Sequence, residues 1–134
     1  MINFLDIQPL LAGWFREQLK AHGSTAVVSS QIPPGHWQEL EPKPLLQVMD
    51  TGGFLGSAVV DTPLVSFDTW GNSDAEAREL AQLVRALMPT INVIGETQFY
   101  AVTEAGRPTE YPDSRAPSRA RYRQIHSINY RAQR

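Results

Sequence analysis

The chain contains no cysteine. That excludes disulfides, thiolate nucleophiles and thiolate metal sites together. Histidine is scarce: His22, His36 and His126 stand 14 and 90 residues apart, and none has a histidine or carboxylate at i+4. No run of about 18 apolar residues occurs, so no membrane span is expected. The opening MINFLDIQPL lacks the basic and long apolar regions of a signal peptide, which points to a cytoplasmic site of synthesis and residence. G-x-S-x-G, H-E-x-x-H and P-loop patterns are missing too, and with them the usual sequence signs of an enzyme. Acid is missing from one end. Residues 115–134 hold six arginines and no carboxylate, whereas residues 1–114 carry all fourteen acidic groups and six basic ones. Such a split predicts an acidic partner for the C-terminal segment, either nucleic acid or the acidic body of a neighbouring copy.

What is present is an ordinary globular balance. With 42% hydrophobic and 19% charged residues among 134, the chain reads as one domain, 1–134, able to bury its own core. Residues 6–22 predict an amphipathic helix, with Asp6 as N-cap and Leu5 and Leu10 as a hydrophobic staple. Its apolar face is Ile7, Leu10, Leu11, Trp14 and Gln18, widened by Phe15 and Leu19, and Gly23 is the stop. A short β-branched stretch, Thr25–Val28, precedes a loop over 31–44 that four prolines keep irregular. Leu45–Asp50 predicts a strand ended by Gly52-Gly53, and Leu64–Trp70 a second strand ended by Gly71. The segment between, 53–62, reads as a loop too long for a tight turn, carrying the exposed-looking Phe54 and Leu55.

Ser73-Asp74-Ala75-Glu76 is a capping box opening a second helix. Ala77, Leu80, Ala81, Val84, Leu87 and Met88 give its buried stripe, Asp74 and Arg78 an i,i+4 pair, and Pro89 its end. A strand around Gln98–Val102, a loop over 106–120 and a last strand Arg121–Arg131 complete the chain. On that last strand Tyr122, Ile128 and Tyr130 share a face, and Ile125, out of phase, predicts a bulge. The order helix, three strands, helix, two strands is α+β: a mixed, mainly antiparallel sheet with two helices packed on one face.

Three groups of residues invite chemistry. Gly52-Gly53-Phe54-Leu55-Gly56 follows a strand as a phosphate loop does, but no helix follows it, so a turn is the simpler reading. Asp50, Asp61 and Asp68 form a carboxylate cluster only if they converge; otherwise they are solvated faces and turns. Trp14, Trp37 and Trp70 read as a core residue, a loop anchor and a packing residue. Arg121, Arg123 and Arg131 alternate on one face of the last strand, a row suited to solvent, a channel or the carboxylates of a neighbouring subunit.

The succession of elements resembles the tail terminator, or tail-completion, proteins of long-tailed bacteriophages, in particular the actinobacterial-phage type. The resemblance lies in the N-terminal helix with Pro9, the strand Pro44–Val48 running to Gly52-Gly53, the segment Asp61–Gly71 and the Ala/Glu-rich helix Asp74–Met88. Pro112-Asp113 and the final strand bearing arginine and tyrosine extend it to most of the chain. It implies a non-enzymatic α+β subunit without cofactor or metal that forms a ring, commonly a hexamer, at the head-proximal end of the tail tube. Its implied partners are itself, the tail tube protein and the head–tail connector or stopper protein. Genomic DNA would pass through the ring without sequence-specific binding, and no membrane partner is implied. The implied location is the neck of the virion, and the host cytoplasm during assembly. Arg121, Arg123, Arg131, Phe54 and Leu55 are then the candidate subunit-interface residues. The alternatives are a head-completion or stopper protein of the neck and, from a different class, a small nucleic-acid-binding module using arginines interleaved with tyrosines.

Overall fold

The structure, a computed structural model, describes residues 4–56, 60–113 and 119–131. In chain order its elements are α1 (Ile7–Ala21), β1 (Val27–Ser29), β2 (Leu45–Leu55), β3 (Val60–Gly71), α2 (Asp74–Leu87), β4 (Val93–Ile94), β5 (Thr97–Glu110) and β6 (Ala120–Arg131). The strands form one sheet in the order β1-β2-β3-β6-β5-β4. β1 lies parallel to β2, and the other neighbours are antiparallel. Both helices pack on one face, α1 over β1 and β2, and α2 over β3 and β6. This is the α+β architecture that the order of elements predicts. Among the described residues no helix is long and apolar enough to cross a membrane.

The two helices are held by different devices. At the start of α1 the Asp6 side chain makes no cap bond. Its end is closed by Gly23 at φ 78°, with Ser24 N–H reaching Leu19 O at 2.9 Å, a backbone turn that satisfies the last carbonyls. The buried stripe is Ile7, Leu11, Ala12, Phe15 and Leu19. Leu10 and Trp14 are only half-buried beside it, so the face is rotated from the sequence reading. Large apolar side chains stand on both sides of Leu11, and periodicity alone does not choose between them. α2 behaves as its sequence predicts. Ser73 Oγ accepts from Glu76 N–H at 3.1 Å, and Ala77, Leu80, Ala81, Val84 and Leu87 are buried. The Glu76 carboxylate reaches back to Asn72 N–H at 3.0 Å.

The sheet is more continuous than punctuation by glycine and proline suggests. Gly52 and Gly53 do not end β2; they carry it through a bulge at φ 120° and 111°. A Cβ on Gly53 would lie 2.2 Å from Thr62 O, so only glycine fits. β2 and β3 therefore form a long hairpin, and Gly56 N–H bonds Val60 O at 2.9 Å across its end. Pro63 sits inside β3 where pairing to β6 lapses between Asp61↔Tyr130 and Leu64↔Ser127, so its missing donor is not needed. β5 likewise runs on through Gly106–Glu110, which the sequence assigns to a loop, because register shifts absorb its irregular residues. Ile125 keeps regular register with β3; the bulges lie on β5 instead.

The core lies between sheet and helices. Leu46 and Val48 of β2, Val65 and Phe67 of β3, and Ile128 and Tyr130 of β6 are fully buried against Leu11, Phe15 and Val84. Gly71 lets the end of β3 approach α2: a Cβ there would stand 2.6 Å from Ala77 N.

Candidate functional site

Strand register sends Ser66, Asp68 and Trp70 of β3, and Arg121 and Arg123 of β6, to the face away from the helices. Asp68 pairs with Arg123, and Trp70 with Arg121. Asp68 is wholly buried there. Its Oδ1 accepts from Arg123 Nε at 2.7 Å and Ser66 Oγ at 3.2 Å. Its Oδ2 accepts from Arg121 Nε and Arg123 Nη2, both at 2.9 Å, and also from Arg121 Nη2. Arg121 lies 4.6 Å from the Trp70 ring centroid and 4.7 Å from that of Tyr111, which also stacks on Arg123 at 3.9 Å. Trp70 Nε1–H donates to Gln47 Oε1 at 2.6 Å, and Trp37 packs on Trp70 at 5.7 Å. Arg119 stacks on Trp37 at 5.2 Å. The Asp113 carboxylate is 3.7 Å from Arg121 Nη1, a second negative charge near the two guanidiniums. The hydrogen bond to Asp68 holds the Arg123 guanidinium pKa above its ordinary value.

This arrangement corrects two expectations. Asp68 is not a solvated residue but the buried anchor of two cations. Arg121 and Arg123 alternate as predicted, yet they close on that anchor inside their own chain, Arg121 stacked between the Trp70 and Tyr111 rings and Arg123 on Tyr111. The acidic partner that the charge split predicts is, for these two, the same chain. Both Asp68 oxygens are occupied by charged donors. The cluster ties β6 to β3 and to the segment after β5 as an ionic clamp.

No family model matches this chain, and no curated protein does.

The remaining candidates are spread apart. Asp50 is exposed on β2, while Asp61 accepts from the Tyr130 hydroxyl at 2.9 Å on the helix side of the sheet. The three aspartates do not converge, and among the described residues no group of three or more acidic or histidine side chains is placed to hold a metal. The Gly52–Gly56 segment belongs to the hairpin and not to a phosphate loop. Phe54 and Leu55 stand at the hairpin tip with 67% and 56% of their surface exposed. Arg131 is exposed at the end of β6, opposite Val60.

Beneath α2 lies a buried polar pair that sequence reasoning passed over. Gln124 Nε2 donates to Ala81 O at 2.8 Å, which turns its Oε1 toward His126 Nε2 at 2.8 Å. The network makes that nitrogen the proton-bearing one. Burial lowers the His126 pKa from 6.5 to about 4, so the ring is neutral. Alternation with Tyr122, Ile128 and Tyr130 was the available signal, since it puts both residues on the covered face. Tyr111 was missed because it falls in a segment read as a loop.

Proposed function

We propose that this chain is a non-enzymatic structural subunit that assembles with copies of itself into a ring at the head-proximal end of a phage tail tube. The ring ends tube growth and presents a surface to the head's connector or stopper protein, and genomic DNA passes through it. The observation that carries this reading is the pair Phe54 and Leu55, adjacent large apolar side chains held in water near the end of the paired β2–β3 hairpin. Covering such a side chain is worth about 1.5–3 kcal/mol, a gain that a subunit alone forgoes and a neighbour recovers. The likeness in element order to tail terminators supplies the setting. A tip at one end of a sheet suits a heterologous contact, the kind that closes a ring when the rotation between copies permits. The commitment of Arg121 and Arg123 to Asp68 disfavours a nucleic-acid-binding module.

Electron microscopy and light scattering of the purified full chain test the proposal. A closed ring is expected, near 90 kDa if six copies of 15.0 kDa assemble. A monomer at every concentration up to the millimolar range contradicts it.

A further inference from the structure

We infer that the β2–β3 hairpin tip of one copy docks along β5 of the next, with Phe54 seated in a dent formed by Gly106, Thr109, Tyr111 and Ile125. The inference rests on the ring reading and specifies its subunit contact. The receiving side has two features in one place. β4 pairs only with Thr97 and Gln98, and Asn92 O takes Phe99 N–H, so the outer edge of β5 from Tyr100 onward has no strand beside it among the described residues. Open strand edges recruit extended backbone. Beside this edge, on the face away from the helices, lies a mainly apolar dent of about 200 Å³. It exists because Gly106 has no side chain above Ile125 and because Tyr111, 43% exposed, forms a wall.

The occupant is fixed by the other end of the sheet. β1 covers β2 only at Leu45–Gln47, and the Gln8 side chain takes Asp50 N–H. Thr51–Leu55 is therefore extended backbone with no strand partner on its outer side among the described residues. Leu55 pairs with Asp61, which pairs with Tyr130 on the helix side, so Phe54 belongs to the opposite face, the face of the dent. If the sheet continues head to tail, faces and strand directions are preserved. β5 then meets the next β2 antiparallel, with Phe54 on the face of the dent; because the tip is level with Ala101 and the dent lies at Gly106–Tyr111, the next copy is displaced along the strands by about 20 Å. Arg107, Glu110 and Arg123 complete the lining of the dent. The tip cannot fill its own dent, because β3 and β6 separate β2 from β5, about 14 Å at ordinary strand spacing.

The absence of cysteine makes the test clean. Full-length L55C and E110C, both on the helix side of the sheet beside the docked Phe54, are purified separately, mixed and oxidised, with E17C on the exposed side of α1 as the control partner. The expected result is a disulfide-linked L55C–E110C dimer at least five-fold above the L55C–E17C yield. F54D, with monomer folding checked by circular dichroism, is expected to raise the dissociation constant of assembly at least ten-fold. Rings that form while the 55–110 link fails to form overturn this contact and leave the ring reading standing. A dominant E110C–E110C product overturns the head-to-tail geometry. Failure of the wild type to assemble at all overturns both.

Discussion

Replacing Asp68 with asparagine removes the charge that two guanidiniums share while leaving the shape nearly unchanged. Breaking a buried ion pair by deleting one partner costs about 3–5 kcal/mol, because the other charge stays desolvated. Here the arginine side chains are 12% and 28% exposed and Asp113 lies 3.7 Å from Arg121, so solvent and a second carboxylate soften the loss. Asparagine also keeps one acceptor oxygen. The low end, about 3 kcal/mol, is therefore expected, and more for alanine. With a urea slope of about 1–3 kcal/mol/M, the midpoint should fall by at least about 1 M. The assay is equilibrium urea unfolding followed by tryptophan fluorescence and circular dichroism at one fixed protein concentration, since assembly adds apparent stability. The control is D50N, an exposed aspartate expected to stay within about 0.5 kcal/mol of wild type. If D68N matches D50N, the clamp is not what binds β6 to β3 and the reasoning fails.

Acid should destabilise the chain through His126, whose pKa is near 4 folded against 6.5 unfolded. The unfolded state takes up the proton first, so stability falls as pH drops below about 6.5 and stops falling through this group below about 4. The loss between pH 7.5 and pH 5 is about 2 kcal/mol, and H126Q should flatten that part of a stability–pH curve; an unchanged slope would remove His126 as its source. L80A, in the buried stripe of α2, should cost about 2–5 kcal/mol in the same unfolding assay, and a surface-sized effect would mean that the helix phase is wrong. G71A should push β3 from α2 and lower the thermal midpoint by several degrees; a neutral result would show that the junction yields.

The sequence disclosed the elements best where one local device decides them. The Ser73–Glu76 box and the 3.6-residue stripe of α2 fix that helix without help from the rest of the chain, and Gly23 fixes the end of α1. Strands were read short wherever glycine or proline occurred, at Gly52-Gly53, Pro63 and Gly106–Pro108. Such residues interrupt a strand only if the ladder needs their donor or their side chain. In this sheet bulges and pairing gaps absorb them, and a bulge depends on a partner far away in sequence. The site was half legible for the same reason. Arginine alternation on β6 follows from period two, whereas the anchor that Asp68 supplies comes from register between residues 53 to 55 positions apart. Phe54 and Leu55 needed no partner to be noticed, since large apolar residues between turn formers already read as exposed.

The most direct test of the central claim is a capping assay. Tail tube protein encoded in the same genome as the chain is polymerised with and without the purified chain, and tube lengths and ends are measured by negative-stain electron microscopy. The account predicts shorter tubes, each bearing one ring-shaped cap at a single end, in proportion to the chain added. Tubes of unchanged length with bare ends, at subunit ratios where the chain itself forms rings, would contradict it.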